Sequence, residues 1–233
     1  MPRLAFYDFD GTLSSGNIVQ RYAFFVRKLP SRTRALWKGG KLLLSVPAML
    51  ALDFYSRRLF NQIFYREYGG MRRDWLLALD QELFERVVQP SIYPGSKALV
   101  EADRDAGFRT VLVTGELDVA LAPIVRYFGF DAVVSNSLVW DDGVATGEVA
   151  PPLLAEGEKV EAVKRLAREH GAELAACKAY SDSFSDSPML ESVGSPVAVH
   201  PDRRLERLAR DRGWPVLNLH RGASQGDHHG RSH

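Results

Sequence analysis

The sequence predicts an α/β fold in which a parallel sheet is covered on both faces by helices, with a helical segment inserted after the first strand. Three observations predict it. Leu4-Ala5-Phe6-Tyr7 is an apolar run that reads as a buried strand. About eighty residues with helical patterning come next. From Ser96 onward, helical and strand patterns alternate, and such alternation implies a parallel sheet sandwiched between helices.

Each element has a local reason. Asn17 or Ser15 can cap a helix that runs to about Lys28, where Leu29-Pro30 ends it. Ser31 starts a basic, apolar stretch, and within it the run Leu42 to Leu52 is broken by Pro47. Residues 56–68 and 72–87 pattern as amphipathic helices separated by Gly69-Gly70, and Pro90 and Pro94-Gly95 mark a boundary. The expected division is a core formed by residues 1–14 and 92–220, a helical cap domain over 15–91, and a disordered tail over 221–233. Within the core, helices are expected at 96–106, 118–128, 158–170, 186–192 and 202–212. Strands are expected at 108–114, 131–135, 177–181, 196–199 and 215–219. Trp140-Asp141-Asp142-Gly143-Val144 reads as a hairpin turn.

Composition narrows the function classes. The 233 residues are 45% hydrophobic and 25% charged, ordinary for a soluble globular protein, and the net charge of +1 gives no reason to expect nucleic-acid binding. Residues 20–75 nevertheless carry 12 Lys or Arg against 3 Asp or Glu, a net of +9, which leaves the remainder at −8. A basic segment beside an acidic cluster suits an anionic substrate or an anionic membrane surface, and equally a solvated basic face. The single cysteine, Cys177, lies in an apolar stretch and reads as a small core residue. One cysteine permits no disulfide within the chain, which suits a reducing compartment. No signal-peptide pattern opens the chain, so a cytoplasmic location is expected. His228, His229 and His233 belong to the Gly/Ser/His-rich tail and read as solvated rather than metal-binding.

The chemistry is carried by four short segments. Asp8-Phe9-Asp10-Gly11-Thr12-Leu13 sits at the first strand end, where residues two apart project from the same side. Thr114 closes the next apolar strand in Val111-Leu112-Val113-Thr114-Gly115-Glu116. Lys159 follows a glycine-containing loop, and Asp182 and Asp186 stand in the run Tyr180 to Leu190. Taken singly, Thr114, Asp182 and Asp186 could cap helices and Lys159 could be a surface lysine. In open α/β sheets, however, ligands bind at the carboxyl ends of strands, and Asp8, Thr114 and Asp182 all fall there.

This ordered set resembles the haloacid dehalogenase superfamily of phosphotransferases, and within it the subfamily IB hydrolases that include phosphoserine phosphatase. Further matches are Asn61 to Met71, Gly194 to Leu205 and Arg212 to Leu217, so the resemblance covers about residues 3 to 219. It implies a Rossmann-like parallel sheet with a helical cap. It also implies a phosphomonoester hydrolase acting through an aspartyl-phosphate on a small phosphorylated metabolite.

Asp8 is then the candidate nucleophile, which splits one hard displacement into two. Asp10 is the candidate general acid and base. Too many carboxylates gather for a phosphate to enter unaided, and a hard divalent cation, Mg2+, resolves this. The resemblance assigns it the Asp8 side chain, the Asp10 backbone carbonyl and the Asp182 side chain, with Asp186 as a second-shell or occasional ligand. Thr114, the Gly115 N–H and Lys159 would bind the phosphoryl oxygens, and Gly11 and Thr12 would support the turn over the phosphate.

For the ester itself, Asn17 occupies the position of a glutamate that recognises the amino group in phosphoserine phosphatases, which argues against phosphoserine. Arg57 matches a cap arginine and could bind a second anionic group, or be solvated. The apolar run 42–52 is too short to span a bilayer, which takes about 20 residues. It reads as an interfacial helix making peripheral membrane contact, as a cap-core helix, or as a dimer contact. The alternatives to a small metabolite are therefore a lipid-phosphate phosphatase, similar to phosphatidylglycerophosphatases, or a non-catalytic phosphate-binding module. A phosphotransferase would use the same residues.

Overall fold

The computed structural model describes residues 2–155 and 157–220. The tail histidines and the expected disorder of 221–233 fall outside the described residues.

Strand β1 (Leu4–Tyr7) is buried throughout. Its alternate side chains enter two different cores, Leu4 and Phe6 into one and Ala5 and Tyr7 into the other. A strand buried on both faces can only be central, and β1 has parallel neighbours on both sides, β2 (Arg109–Leu117) and β6 (Lys178–Ser181). With β3 (Ala132–Asn136), β7 (Ser195–Val199) and β8 (Val216–Leu217) they form a six-stranded sheet of order β3-β2-β1-β6-β7-β8, parallel at every pairing. This is the α/β fold that the alternation predicts.

Between β1 and β2 lie the cap helices α1 (Ile18–Lys28), α2 (Arg32–Tyr55), α3 (Arg57–Phe64), α4 (Arg73–Ala78) and α5 (Asp80–Leu83), followed by α6 (Ser96–Asp105). Asn17 caps α1 through its side chain, which accepts from Gln20 N while the Gln20 side chain accepts from Asn17 N, a reciprocal capping box. The cap helices share one hydrophobic core with a face of the sheet: Tyr22, Phe25, Phe64, Tyr65 and Tyr68 pack together and join the cluster that holds Tyr7 and Phe9. Each such fully buried side chain contributes roughly 1.5–3 kcal/mol. The other face is covered by α8 (Gly157–Glu169), α9 (Ser187–Glu191) and α10 (Arg203–Arg212), while α7 (Ala122–Phe128) joins the first core.

The hairpin of β4 (Leu138–Asp141) and β5 (Val144–Val149) turns through Asp142 and Gly143, both at positive φ (43° and 72°). It hydrogen-bonds to the cap, with Gly70 N donating to Ala145 O and Ala145 N to Met71 O, both at 2.8 Å.

Three local expectations need correcting. Helix α2 passes through Pro47 without a break. The carbonyl that Pro47 leaves without its helical donor is that of Leu43, a residue 76% exposed. Strand β2 continues past Thr114 to Leu117 with a register shift between Val113 and Leu117, where Glu116 N donates to Thr114 Oγ1 at 3.2 Å. The expected helix 72–87 is interrupted at Leu79 (φ −101°, ψ −2°) and ends in a π-turn over 84–88.

Candidate active site

The loop after β1 is fixed first by the sheet: Asp8 N donates to Tyr180 O of β6 at 3.0 Å. Asp8 therefore leaves the carboxyl edge of the sheet between the ends of β2 and β6. Its carboxylate is buried, and its Oδ1 accepts from Lys159 Nζ at 2.9 Å. Lys159 stands in the first turn of α8 and also donates to Asp186 Oδ2 at 2.7 Å. Ser181 Oγ donates to that same Asp186 oxygen at 2.7 Å. Asp186 thus acts through the lysine, holding it against Asp8.

Burial pushes the Asp8 carboxyl up to about 6. Lys159 opposes this, and the Asp186 and Asp10 charges add to it. Burial on its own would weaken the lysine's hold on its proton, but Asp186 and Asp8 outweigh it and raise Lys159 above its ordinary value.

A second charge cluster lies on the cap side. Arg21 of α1, fully buried, donates from Nη1 to Asp10 Oδ2 at 2.8 Å and from Nη2 to Asp10 Oδ1 at 2.5 Å. Nη1 also meets Glu116 Oε2 at 2.6 Å. Burial raises Glu116 despite Arg21 beside it. Neither Arg21 nor Glu116 is foreseen by the motifs. The only sequence signal is a cation and an acid at helical and strand positions that should be apolar, which is legible only once their partners are known.

Asp182 lies against the turn below. Thr12 Oγ1 donates to Asp182 Oδ1 at 2.9 Å, so the Thr12 hydroxyl is directed at the carboxylate. Gly11, at φ +85°, is so close that a Cβ there would sit 2.0 Å from Asp182 Oδ2. Of the expected phosphate ligands, Thr114, Gly115 and Lys159 line one cavity of about 300 Å³, with Asp8 and Asp10, whereas Gly11, Thr12 and Asp182 are not part of its lining. Tyr65 Oη and Asn136 Nδ2 both donate to Gly115 O, at 2.5 and 2.7 Å, and fix that peptide. Asn17 lines the cavity as well as capping α1. Arg57 begins α3, but its side chain lies outside the described residues. The remaining wall is largely apolar: Ile18, Val19, Leu42, Met49, Phe60 and Phe64 from the cap.

Charge balance bears on a metal ion. Two cations, Arg21 and Lys159, face five carboxylates, those of Asp8, Asp10, Glu116, Asp182 and Asp186. A phosphate dianion entering this surplus of negative charge needs further positive charge, and the donors available are hard oxygens. Among the described residues no three His, Cys, Asp or Glu side chains form a metal cluster by themselves. The Asp8 and Asp182 carboxylates and the Asp10 main-chain carbonyl are hard oxygens of the kind a divalent ion takes.

Comparison with known proteins agrees with the geometry. The model of the haloacid dehalogenase-like hydrolase family matches residues 5–191. A protein of Mycobacterium tuberculosis named as a probable phosphatase is 33% identical over 229 residues, 96% of this chain and 77% of its own. A phosphoserine phosphatase of the same organism is 37% identical over 144 residues, 62% of this chain and 47% of its own. The chain spans about half the length of four of the curated relatives it matches. A crystal structure of a protein of unknown function from Bordetella pertussis superposes with a TM-score of 0.81 at 25% identity, covering 94% of this chain and 99% of the other. Among the described residues no helix is long and apolar enough to cross a membrane. The segments at Asp8, Thr114, Lys159 and Asp182, gathered at one sheet edge and matched by that family model, identify the chain as a member of the haloacid dehalogenase-like hydrolase family.

Proposed function

We propose that the protein is a magnesium-dependent phosphomonoesterase that works through a phosphorylated Asp8. The observation that carries this reading is the buried Asp8 carboxylate, gripped at 2.9 Å by Lys159 at the mouth of β1 and β2, in a cavity that also presents Thr114 and Gly115. The named phosphatases among the relatives support it.

In this mechanism the phosphoryl oxygens are received by the Thr114 hydroxyl, the Gly115 N–H and the Lys159 ammonium. A carboxylate oxygen of Asp8 attacks phosphorus. The bond from phosphorus to the ester oxygen breaks, and that oxygen takes a proton from Asp10. Water then attacks the aspartyl-phosphate and gives its proton to Asp10, which releases inorganic phosphate and restores Asp8. Both Asp10 oxygens accept from Arg21, so Arg21 aims the carboxyl, and one of those contacts must be exchanged for the leaving oxygen during the first step. Magnesium, held by the Asp8 and Asp182 carboxylates and the Asp10 carbonyl, would supply the positive charge that lets the phosphate dianion approach.

Asp186 orients Lys159, and Thr12 orients Asp182. The apolar cap wall, with the amides of Asn17, Gln20 and Asn61, favours an ester whose alcohol is neutral or apolar over one as polar as phosphoserine. Helices α1 to α5 serve as the specificity cap in this reading. A buried, unpaired Cys177 suits work in the reducing cytoplasm.

The deciding experiment is phosphate release from phosphoserine, histidinol phosphate, sugar phosphates, nucleotides and lipid phosphates, with and without magnesium, and with Asp8→Asn as control. Magnesium-dependent release that disappears in the variant supports the reading. Release that persists in Asp8→Asn, or a folded protein inert on every ester, overturns it.

A further inference from the structure

Helix α2 has two apolar faces, and only one is used by the fold. Leu42, Met49 and Leu52 turn inward and pack on the core, and Leu42 and Met49 also line the cavity. On the opposite side Leu36, Trp37, Leu43 and Leu44 are 77, 64, 76 and 86% exposed. At about 100° per residue these four fall on one face, spaced i, i+1, i+7 and i+8. Four large apolar side chains clustered on one exposed helix face mark an interaction surface rather than chance exposure.

The charges around it select the partner. From Arg32 to Leu52 the chain carries Arg32, Arg34, Lys38 and Lys41 and no acidic residue. Arg32, Arg34 and Lys41 are exposed, and Arg34 donates from Nη2 to the Gly69 and Gly70 main-chain carbonyls, which carry no net charge. Lys41 pairs with Glu67 and lies 5.6 Å from the Trp37 ring. Leucines and a tryptophan between cations, on a helix lying across the surface, match a helix resting in the interface of an anionic bilayer.

We propose that the Leu36–Leu44 face of α2 docks the protein reversibly on an anionic lipid surface. Leu43, Leu44 and Trp37 enter the headgroup region while the exposed Arg32 and Arg34 meet lipid phosphates. Attachment is peripheral, and it is independent of the hydrolase reading because it requires no substrate.

The test is co-sedimentation of the full chain with sucrose-loaded vesicles of phosphatidylcholine alone or mixed with phosphatidylglycerol, without substrate. Binding is expected to the mixed vesicles only, and to weaken as salt is added. Trp37 fluorescence should shift to the blue on binding, and the shift should vanish in Trp37→Ala, which keeps the other three of the four tryptophans. Leu43→Glu with Leu44→Glu should abolish sedimentation while circular dichroism and phosphate release from a soluble ester stay unchanged. Arg32→Gln should weaken binding about fivefold, the equivalent of about 1 kcal/mol for one interfacial cation. No binding to mixed vesicles, equal binding to phosphatidylcholine alone, or binding indifferent to the double variant each overturns the proposal. A concentration-dependent dimer that the double variant dissolves, with no vesicle binding, assigns the face to a second copy of the chain and overturns it as well.

Discussion

Arg21 grips Asp10 with both arms of its guanidinium, at 2.8 and 2.5 Å, and this fork ties the first cap helix to the loop that carries Asp8. The same side chain reaches Glu116 on β2 at 2.6 Å. One buried cation therefore joins three chain segments that are distant in sequence.

Removing that cation leaves the buried Glu116 carboxylate and the part-buried Asp10 carboxylate without their common partner. Arg21→Met is expected to destabilise the protein by about 3–5 kcal/mol, because stranding a buried partner costs more than the pair contributes. Adding Glu116→Gln should recover part of the loss. A double-mutant cycle read from denaturant midpoints checks this, and a coupling near zero between the two positions would contradict the geometry.

Asp8 makes stability fall as pH rises. The folded side chain keeps its proton up to about pH 6, whereas its ordinary value is 3.8. Between those values the native state binds more protons than the unfolded chain, so the cost of the buried charge grows through that window and is complete above it. Asp8→Asn should therefore be more stable than the parent above pH 6 in metal-free buffer, by about 3 kcal/mol, and no more stable than it below pH 4. Chemical denaturation in a chelator across this range is the measurement.

Lys159→Met should leave Asp8 and Asp186 without their common cation. Turnover is expected to drop by about 10²-fold or more, with lower thermal stability. Single-turnover kinetics separate the two effects. A variant that forms phosphoenzyme at the parental rate would remove Lys159 from the chemistry.

Thr12→Val keeps the shape of the side chain and deletes the hydroxyl that donates to Asp182 Oδ1 at 2.9 Å. The magnesium concentration for half-maximal activity should rise about tenfold with little change in the saturated rate, as for other residues that orient a metal ligand. Gly11→Ala should be harsher, since its Cβ would occupy the space of the Asp182 carboxylate. Titration of activity with magnesium distinguishes them.

Much of this was legible from local pattern. β1 announced itself through four apolar residues and α1 through a cap at Asn17 or Ser15, of which the structure uses Asn17. Asp8, Thr114 and the Asp182–Asp186 pair were visible because each ends or follows an apolar strand, and strand ends converge in a parallel sheet, while Lys159 was visible only by its place after a glycine-containing loop in the ordered set. Arg21 and Glu116 were not, since their meaning depends on a contact across 95 residues of sequence. Pro47 misled as well: proline argues for a break, but α2 runs through it, and the residue whose helical hydrogen bond is lost, Leu43, is 76% exposed.

The chain enters and leaves the cap side by side. Ser15 N donates to Ser91 O at 2.9 Å, the Ser14 and Ser91 hydroxyls meet at 2.7 Å, and Ser14 bridges Ile92 in antiparallel fashion. An insertion whose two ends are stapled together where they leave the core can be lengthened, shortened or replaced wholesale while the sheet beneath keeps its register. Descendants of such a chain are free to trade one cap for another, acquiring new substrates by exchange of a module while the reaction centre is inherited intact.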